Sequence, residues 1–280
     1  MNRNPLVTPE WLYEHLKDPD LVVVDCRFDL TRPQSGKEGY RRNHIPGALY
    51  LDLEKDLSAP VGIHGGRHPL PDVDRFADRL GEVGIDRRRT VVAYDDQGGA
   101  MAARLWWMLR CLGHEAVFVL NGGYTAWTEM GYPVNDEVPR PEPTRFVPNP
   151  NRDLLVGMEE VKAWDGLLID SREPARYEGK AEPIDAKAGH IPGAVNRFWK
   201  ENLGEDGRWK NPAEMKKEWA FALGKQAIVY CGSGVTACAN LLALHAAGIT
   251  DARLYAGSWS DWISYEQNPV ATGKENNISD

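Results

Sequence analysis

Ala227-Ile228-Val229-Tyr230-Cys231-Gly232-Ser233-Gly234-Val235-Thr236 is the stretch that decides the fold. The four apolar residues before Cys231 read as a buried strand. Residues 237–247, small and apolar, read as a helix closed by Gly248. Cys231 is thereby placed at the C-terminal end of a strand, in a tight loop that opens a helix. In open α/β sheets ligands bind at such a place. A short arc of backbone N–H groups backed by a helix N-terminus makes a concave anion site. Gly232 and Gly234 permit positive φ and keep side chains out of the arc. A thiolate held there is stabilised and becomes a usable nucleophile near neutral pH. The same arc suits the anionic persulfide that forms when a thiolate takes up one sulfur atom.

Outward from this loop, the second half of the chain repeats the first. Leu167–Asp170 followed by Ser171-Arg172 echoes Val22-Val23-Val24-Asp25 followed by Cys26-Arg27. His190-Ile191-Pro192-Gly193-Ala194 repeats His44-Ile45-Pro46-Gly47-Ala48. Ala227–Tyr230 echoes Val91-Val92-Ala93-Tyr94, and 256–262 echoes 121–127. Motifs that recur in one order argue for duplicated domains. Buried strands alternating with helices argue for two parallel sheets covered on both faces. In the first copy, Thr8 and Pro9 open a helix, 49–51 reads as a strand, 71–80 as a helix stopped by Gly81, and 100–112 as a helix. The expected division is a first domain over 1–138, a stiff connector over 139–153 rich in proline, a second domain over 154–270, and a frayed polar tail over 271–280.

The chain has 280 residues, 33 basic and 41 acidic, for a net charge of −8. That balance speaks against a general nucleic-acid surface. Cys26, Cys111, Cys231 and Cys238 have neither metal-ligand spacing nor the density of a disulfide scaffold, as in a reducing cytosol. No apolar run reaches membrane-spanning length and the N-terminus does not read as a signal peptide. A cytoplasmic protein without metal or organic cofactor is expected.

In the first copy Asp95 takes the place of Cys231, so the second domain is expected to be the catalytic one. With the repeated His-Ile-Pro-Gly-Ala, the Asp-x-Arg strand ends and Gly257-Ser258-Trp259-Ser260-Asp261-Trp262, the chain resembles the tandem-domain rhodanese family of sulfurtransferases over about 6–270. The resemblance implies two domains, each a five-stranded parallel sheet flanked by helices, with substrate in the cleft between them. Thiosulfate-using members carry Arg and Lys just after the cysteine, where this chain has Gly232 and Ser233. The loop Cys-Gly-Ser-Gly-Val-Thr resembles the 3-mercaptopyruvate sulfurtransferase type. An uncharged loop also suits a singly charged keto acid better than a doubly charged donor.

By that resemblance Cys231 attacks the donor sulfur, and Gly232, Gly234, Val235 and Thr236 form the surrounding cradle. Ser233 is implied to serve the departing enolate, coupled to His68 and to Asp52, with Glu54 the other choice of carboxylate. Arg176 matches the position that pairs with the donor carboxylate. A second arginine found downstream in several relatives is missing, since 180–189 offers only Lys180 and Lys187 as cations. The implied acceptor is a thiol, thioredoxin or a small thiol, or cyanide.

Plainer readings stand beside these. Cys26, Cys111 and Cys238 read as core, Trp106 and Trp107 as core or interdomain packing, and Trp259 and Trp262 as packing, with 257–259 able to line the mouth of the site. His44 and His190 occur in both copies, which favours a structural part for them. Ser233 can also bond its own backbone, and His68 can be a surface-loop histidine. A thiosulfate sulfurtransferase is the alternative enzyme. A Cys-loop phosphatase lacks its closing arginine here, because Thr236, Ala237 and Cys238 follow Val235. A non-enzymatic binding module is the third alternative.

Overall fold

The computed structural model describes residues 4–275. The first domain runs β1 (Leu6–Val7), α1 (Pro9–His15), β2 (Leu21–Asp25), α2 (Ser35–Arg42), β3 (Leu49–Tyr50), α3 (Val73–Glu82), β4 (Thr90–Tyr94), α4 (Ala100–Cys111), β5 (Val117–Leu120) and α5 (Gly123–Glu129). The second repeats the plan with β6 (Leu155–Val156), α6 (Met158–Lys162), β7 (Leu167–Asp170), α7 (Pro174–Tyr177), β8 (Ala194–Asn196), α8 (Pro212–Glu218), β9 (Ala227–Tyr230), α9 (Ala237–Ala246), β10 (Arg253–Tyr255) and α10 (Ser258–Trp262).

Each domain is one all-parallel five-stranded sheet, ordered β1-β5-β4-β2-β3 and β6-β10-β9-β7-β8. The central strands are continuous apolar runs because helices cover both faces. Val91 through Tyr94 and Ile228 through Tyr230 are all fully buried. The order places β9 beside β7, at the point where the chain reverses its direction of winding, and the Cys231 loop leaves the C-terminal end of β9.

The domains meet helix to helix. α4 and α9 pack together, and both are apolar nearly all round, as a helix enclosed on every side must be. Trp106 and Trp107 are buried in this contact region, in agreement with their reading as core. The connector lies along the first domain with no helix or strand through 139–151. Its Phe146 is buried, and Thr144 N donates to Gly81 O at 2.9 Å.

Two expectations change, and one helix is new. Gly81 does not stop α3, which starts after the Asp72 cap and runs on to Glu82. A Cβ at 81 would stand 2.5 Å from Thr144 O, so this glycine makes room for the connector. α2 was not visible in the sequence; Gly36 and Gly39 weaken its helical pattern. The tail does not fray from 271. Ala271 and His190 exchange backbone hydrogen bonds of 2.9 and 3.0 Å, and Glu275 accepts from Gly193 N at 3.0 Å. Residues 276–280 lie outside the described residues.

Candidate active site

Cys231 is buried, and burial alone pushes its thiol up. The Thr236 hydroxyl and the amides of Ser233, Ala237 and Gly234 hydrogen-bond the sulfur and outweigh it, so the thiol sits below its ordinary range. Gly234 is needed as glycine for two reasons. Its φ is +76°, and a Cβ would stand 2.2 Å from Ala256 O. Val235 turns its side chain into the core.

The strap over this loop is the start of α10. Trp259 N donates to Cys231 O and Ser260 N to Gly232 O, each at 3.0 Å. Cys231 N, which faces away from the arc, donates to Ser258 Oγ at 3.1 Å, and Ser258 Oγ donates to Tyr255 O at 2.9 Å. Ser258 has φ +56°, the one non-glycine residue at positive φ among the described residues. Its counterpart in the first copy is Gly123, at φ +57°. The second copy holds a serine where the backbone asks for glycine, and the strain is compensated by these two bonds.

The first domain completes the site. His68 is buried, and its Nδ1 lies 2.8 Å from Ser233 Oγ across the domain boundary. Burial first, then Arg104 and Arg67, lower His68 to about 4, so the ring is neutral near pH 7. The expected carboxylate does not join it. Asp52 Oδ1 accepts from Glu54 N at 3.0 Å and Lys55 N at 3.1 Å, capping its own turn. The chain at 52–57 is a turn and not a strand, so Asp52 and Glu54 do not share a face. Neither carboxylate bonds His68 among the described residues, and the pair ends at His68 and Ser233.

Arg104 escaped the sequence reading because it sits inside the apolar helix α4. It is fully buried, and its Nη1 donates to Gly234 O at 3.0 Å while its Nη2 donates to His68 O at 3.0 Å. One guanidinium therefore ties the Cys231 loop to the His68 loop. Arg67 escaped it as well. A methyl group added at Gly232 would lie 3.0 Å from Arg67 Nη2 and 3.5 Å from Arg176 Nη2. A second guanidinium thus stands beside Gly232, from the other domain. Arg176 itself pairs with Glu182 and Asp185, each at 2.8 Å. A cavity of about 640 Å³ opens between the domains and is lined in part by Met101, Arg172, Arg176, Trp199 and Thr236.

Other residues stay out of the chemistry. His44 Nδ1 and His190 Nδ1 each bond a tyrosine carbonyl, Tyr40 O and Tyr177 O, at 2.7 Å. Cys26 and Cys238 are buried in the core, and burial lifts Cys238 to about 12. Cys111 is half-buried and lifted to about 11 by the same cause.

The rhodanese-like domain matches residues 8–130 and again 153–265. The chain belongs to the rhodanese family. Its relatives are sulfurtransferases. A probable 3-mercaptopyruvate sulfurtransferase of Pseudomonas aeruginosa is 45% identical, over 98% of this chain and 100% of the relative. The thiosulfate sulfurtransferase of Rattus norvegicus is 37% identical, over 92% of this chain and 91% of its own. The crystal structure of SseA from Escherichia coli, a 3-mercaptopyruvate sulfotransferase, superposes with a TM-score of 0.80 at 31% identity, covering 92% of this chain and 100% of that one. Among the described residues of this rhodanese-family chain, no helix is long and apolar enough to cross a membrane.

Proposed function

We propose that this protein moves sulfane sulfur from 3-mercaptopyruvate to a thiol or cyanide through a persulfide on Cys231. The observation that carries the reading is the depressed thiol of Cys231 inside its arc of amides, next to the neutral Ser233–His68 pair. The Cys231 thiolate attacks the donor sulfur. The sulfur–carbon bond breaks, and its electron pair leaves with the pyruvate enolate. The enolate takes a proton from the Ser233 hydroxyl; the donor's own thiol proton, released as its sulfur becomes the anionic persulfide, balances it, and the neutral His68 ring bonded to Ser233 is placed to relay that proton back to the serine. The outer sulfur of the persulfide is then attacked by the acceptor, and the Cys231 thiolate is regenerated. A small thiol or thioredoxin suits the acceptor role, and the cytosol suits the chemistry.

Thiosulfate is the second reading, favoured by one observation: two guanidinium groups converge on Gly232. Cys231→Ser is expected to abolish transfer from either donor. Mass spectrometry of the wild-type protein after 3-mercaptopyruvate treatment should show one added sulfur on Cys231. A kcat/KM for thiosulfate above that for 3-mercaptopyruvate overturns the donor assignment.

A further inference from the structure

Arg67 comes from the domain without the nucleophile, yet it lies over the residue that follows the nucleophile. Its loop is fastened to α10 of the other domain. Gly65 N donates to Asp261 Oδ1 at 2.7 Å, and Arg67 N to Ser260 Oγ at 3.1 Å. The guanidinium is mostly enclosed, and its Nε is buried with no hydrogen-bond partner among the described residues. An orphaned charged donor beside a reactive sulfur is a costly feature unless something occupies it.

Asp185 occupies part of it. One carboxylate oxygen pairs with Arg67 Nη1, and the other accepts from Arg176 Nη2 at 2.8 Å. A single internal carboxylate thus spans two guanidiniums from two domains, in the arrangement an anionic substrate needs. Among the described residues, Arg67, Arg104, Arg172 and Arg176 are set against Asp170, Glu182, Asp185 and the Cys231 thiolate. These charges balance. An anionic donor arriving beside the Cys231 thiolate breaks the balance unless a carboxylate leaves. Asp185 is the one placed to do so. It lies in 181–189, which has no helix or strand, next to the exposed Ile184.

We propose that Arg67 binds the donor: the anionic group of the substrate lies over Gly232 between Arg67 and Arg176 and takes over contacts that Asp185 makes in its absence. The first domain then sets donor affinity. The proposal rests on Cys231 being charged by an anionic donor, and it is read on whichever donor serves better.

The test is steady-state kinetics of the full-length protein with 3-mercaptopyruvate and, separately, thiosulfate, with cyanide as acceptor. Arg67→Met should raise KM for the better donor about 10- to 100-fold, the loss expected for charge-assisted bonds to an anion, with kcat within about threefold. Arg67→Lys should recover part of this. Asp185→Asn keeps the shape of the site and removes the competing charge, so it should lower KM. A residue that merely braces the loop does not produce these opposite signs. An unchanged KM in Arg67→Met overturns the proposal. So does a raised KM in Asp185→Asn, which remains readable if Arg67→Met fails to fold. If neither donor adds sulfur to Cys231 of the wild-type protein, the functional reading fails and takes the proposal with it. If Cys231 is charged but the two KM effects are missing, the proposal fails alone.

Discussion

Replacing Thr236 by valine removes one hydroxyl and almost no volume. Thr236 stands at the N-terminus of α9 but its side chain makes no capping bond there, so the helix loses no cap. Its hydroxyl bonds Cys231 and is the largest of the influences that lower this thiol. A hydrogen bond to a charged group contributes about 1.5–3 kcal/mol. At about 1.4 kcal/mol per pKa unit, the Cys231 midpoint should rise by about 1–2 units. The weaker acid is also the better nucleophile, with a Brønsted coefficient of about 0.4–0.5, which returns nearly half of the loss. Below both midpoints, charging by the donor should therefore slow about 3- to 10-fold rather than 10- to 100-fold. The assay is the pH dependence of Cys231 alkylation, followed by peptide mapping, with thermal denaturation to show that the fold is kept. A Cys231 midpoint that stays put or falls in a folded Thr236→Val protein refutes the account of how the loop activates its thiol.

Gly234→Ala forces a side chain at φ +76° and a Cβ 2.2 Å from Ala256 O, so the loop must shift. The backbone conformation alone costs about 1–2 kcal/mol; denaturant midpoints should fall by more than this, and the alkylation midpoint of Cys231 should rise as the amide arc opens. His68 and His245 are both lowered to about 4, chiefly by burial. Between about 6.5 and 4 the unfolded chain takes up protons that the folded chain refuses, so stability falls as pH drops through that window, by about 3 kcal/mol for a single histidine that titrates fully. Denaturant unfolding across the window should show this slope, and a His68→Gln protein with the same slope as wild type would rule out His68 as a source.

Much of the fold was legible because a parallel sheet buried on both faces writes its strands as unbroken apolar runs. Thr90–Tyr94 and Ala227–Tyr230 are such runs, and their repetition exposed the duplication. The Cys231 loop was legible because the strand, the glycine at 234 and the helix around it together shape one arc of amides. Arg67, Arg104 and Ser258 were not, for three different physical reasons. Arg67 reaches Gly232 only once the domains dock. Arg104 lies in an apolar helix, where a cation reads as a surface residue until the neighbouring carbonyls are seen. Ser258 is set apart by a backbone angle; the one clue was Gly123 at the matching place in the first copy. The turn at 52–57 was not legible either: Asp52, taken from the resemblance, has its Oδ1 on the amides of Glu54 and Lys55.

The first copy supplies an internal control on the anion-binding arc. Asp95 has the place of Cys231, and its carboxylate fills the arc from within. Oδ1 accepts from Gln97 N and Gly99 N, each at 2.8 Å, and Oδ2 from Met101 N at 2.8 Å and Ala102 N at 3.0 Å. In the structure the Asp95 carboxyl itself occupies the loop, and burial outweighs its four amide bonds and pushes its pKa up. The geometry of strand, loop and helix therefore gathers amide donors on one point in both copies. The two loops differ in what stands at the rim. Around Cys231 that rim includes His68, Arg67 and Arg104, all from the first domain. The copy with aspartate in place of cysteine thus contributes side chains to the surroundings of the Cys231 loop, which gives a physical reason for the two domains to stay joined through α4 and α9.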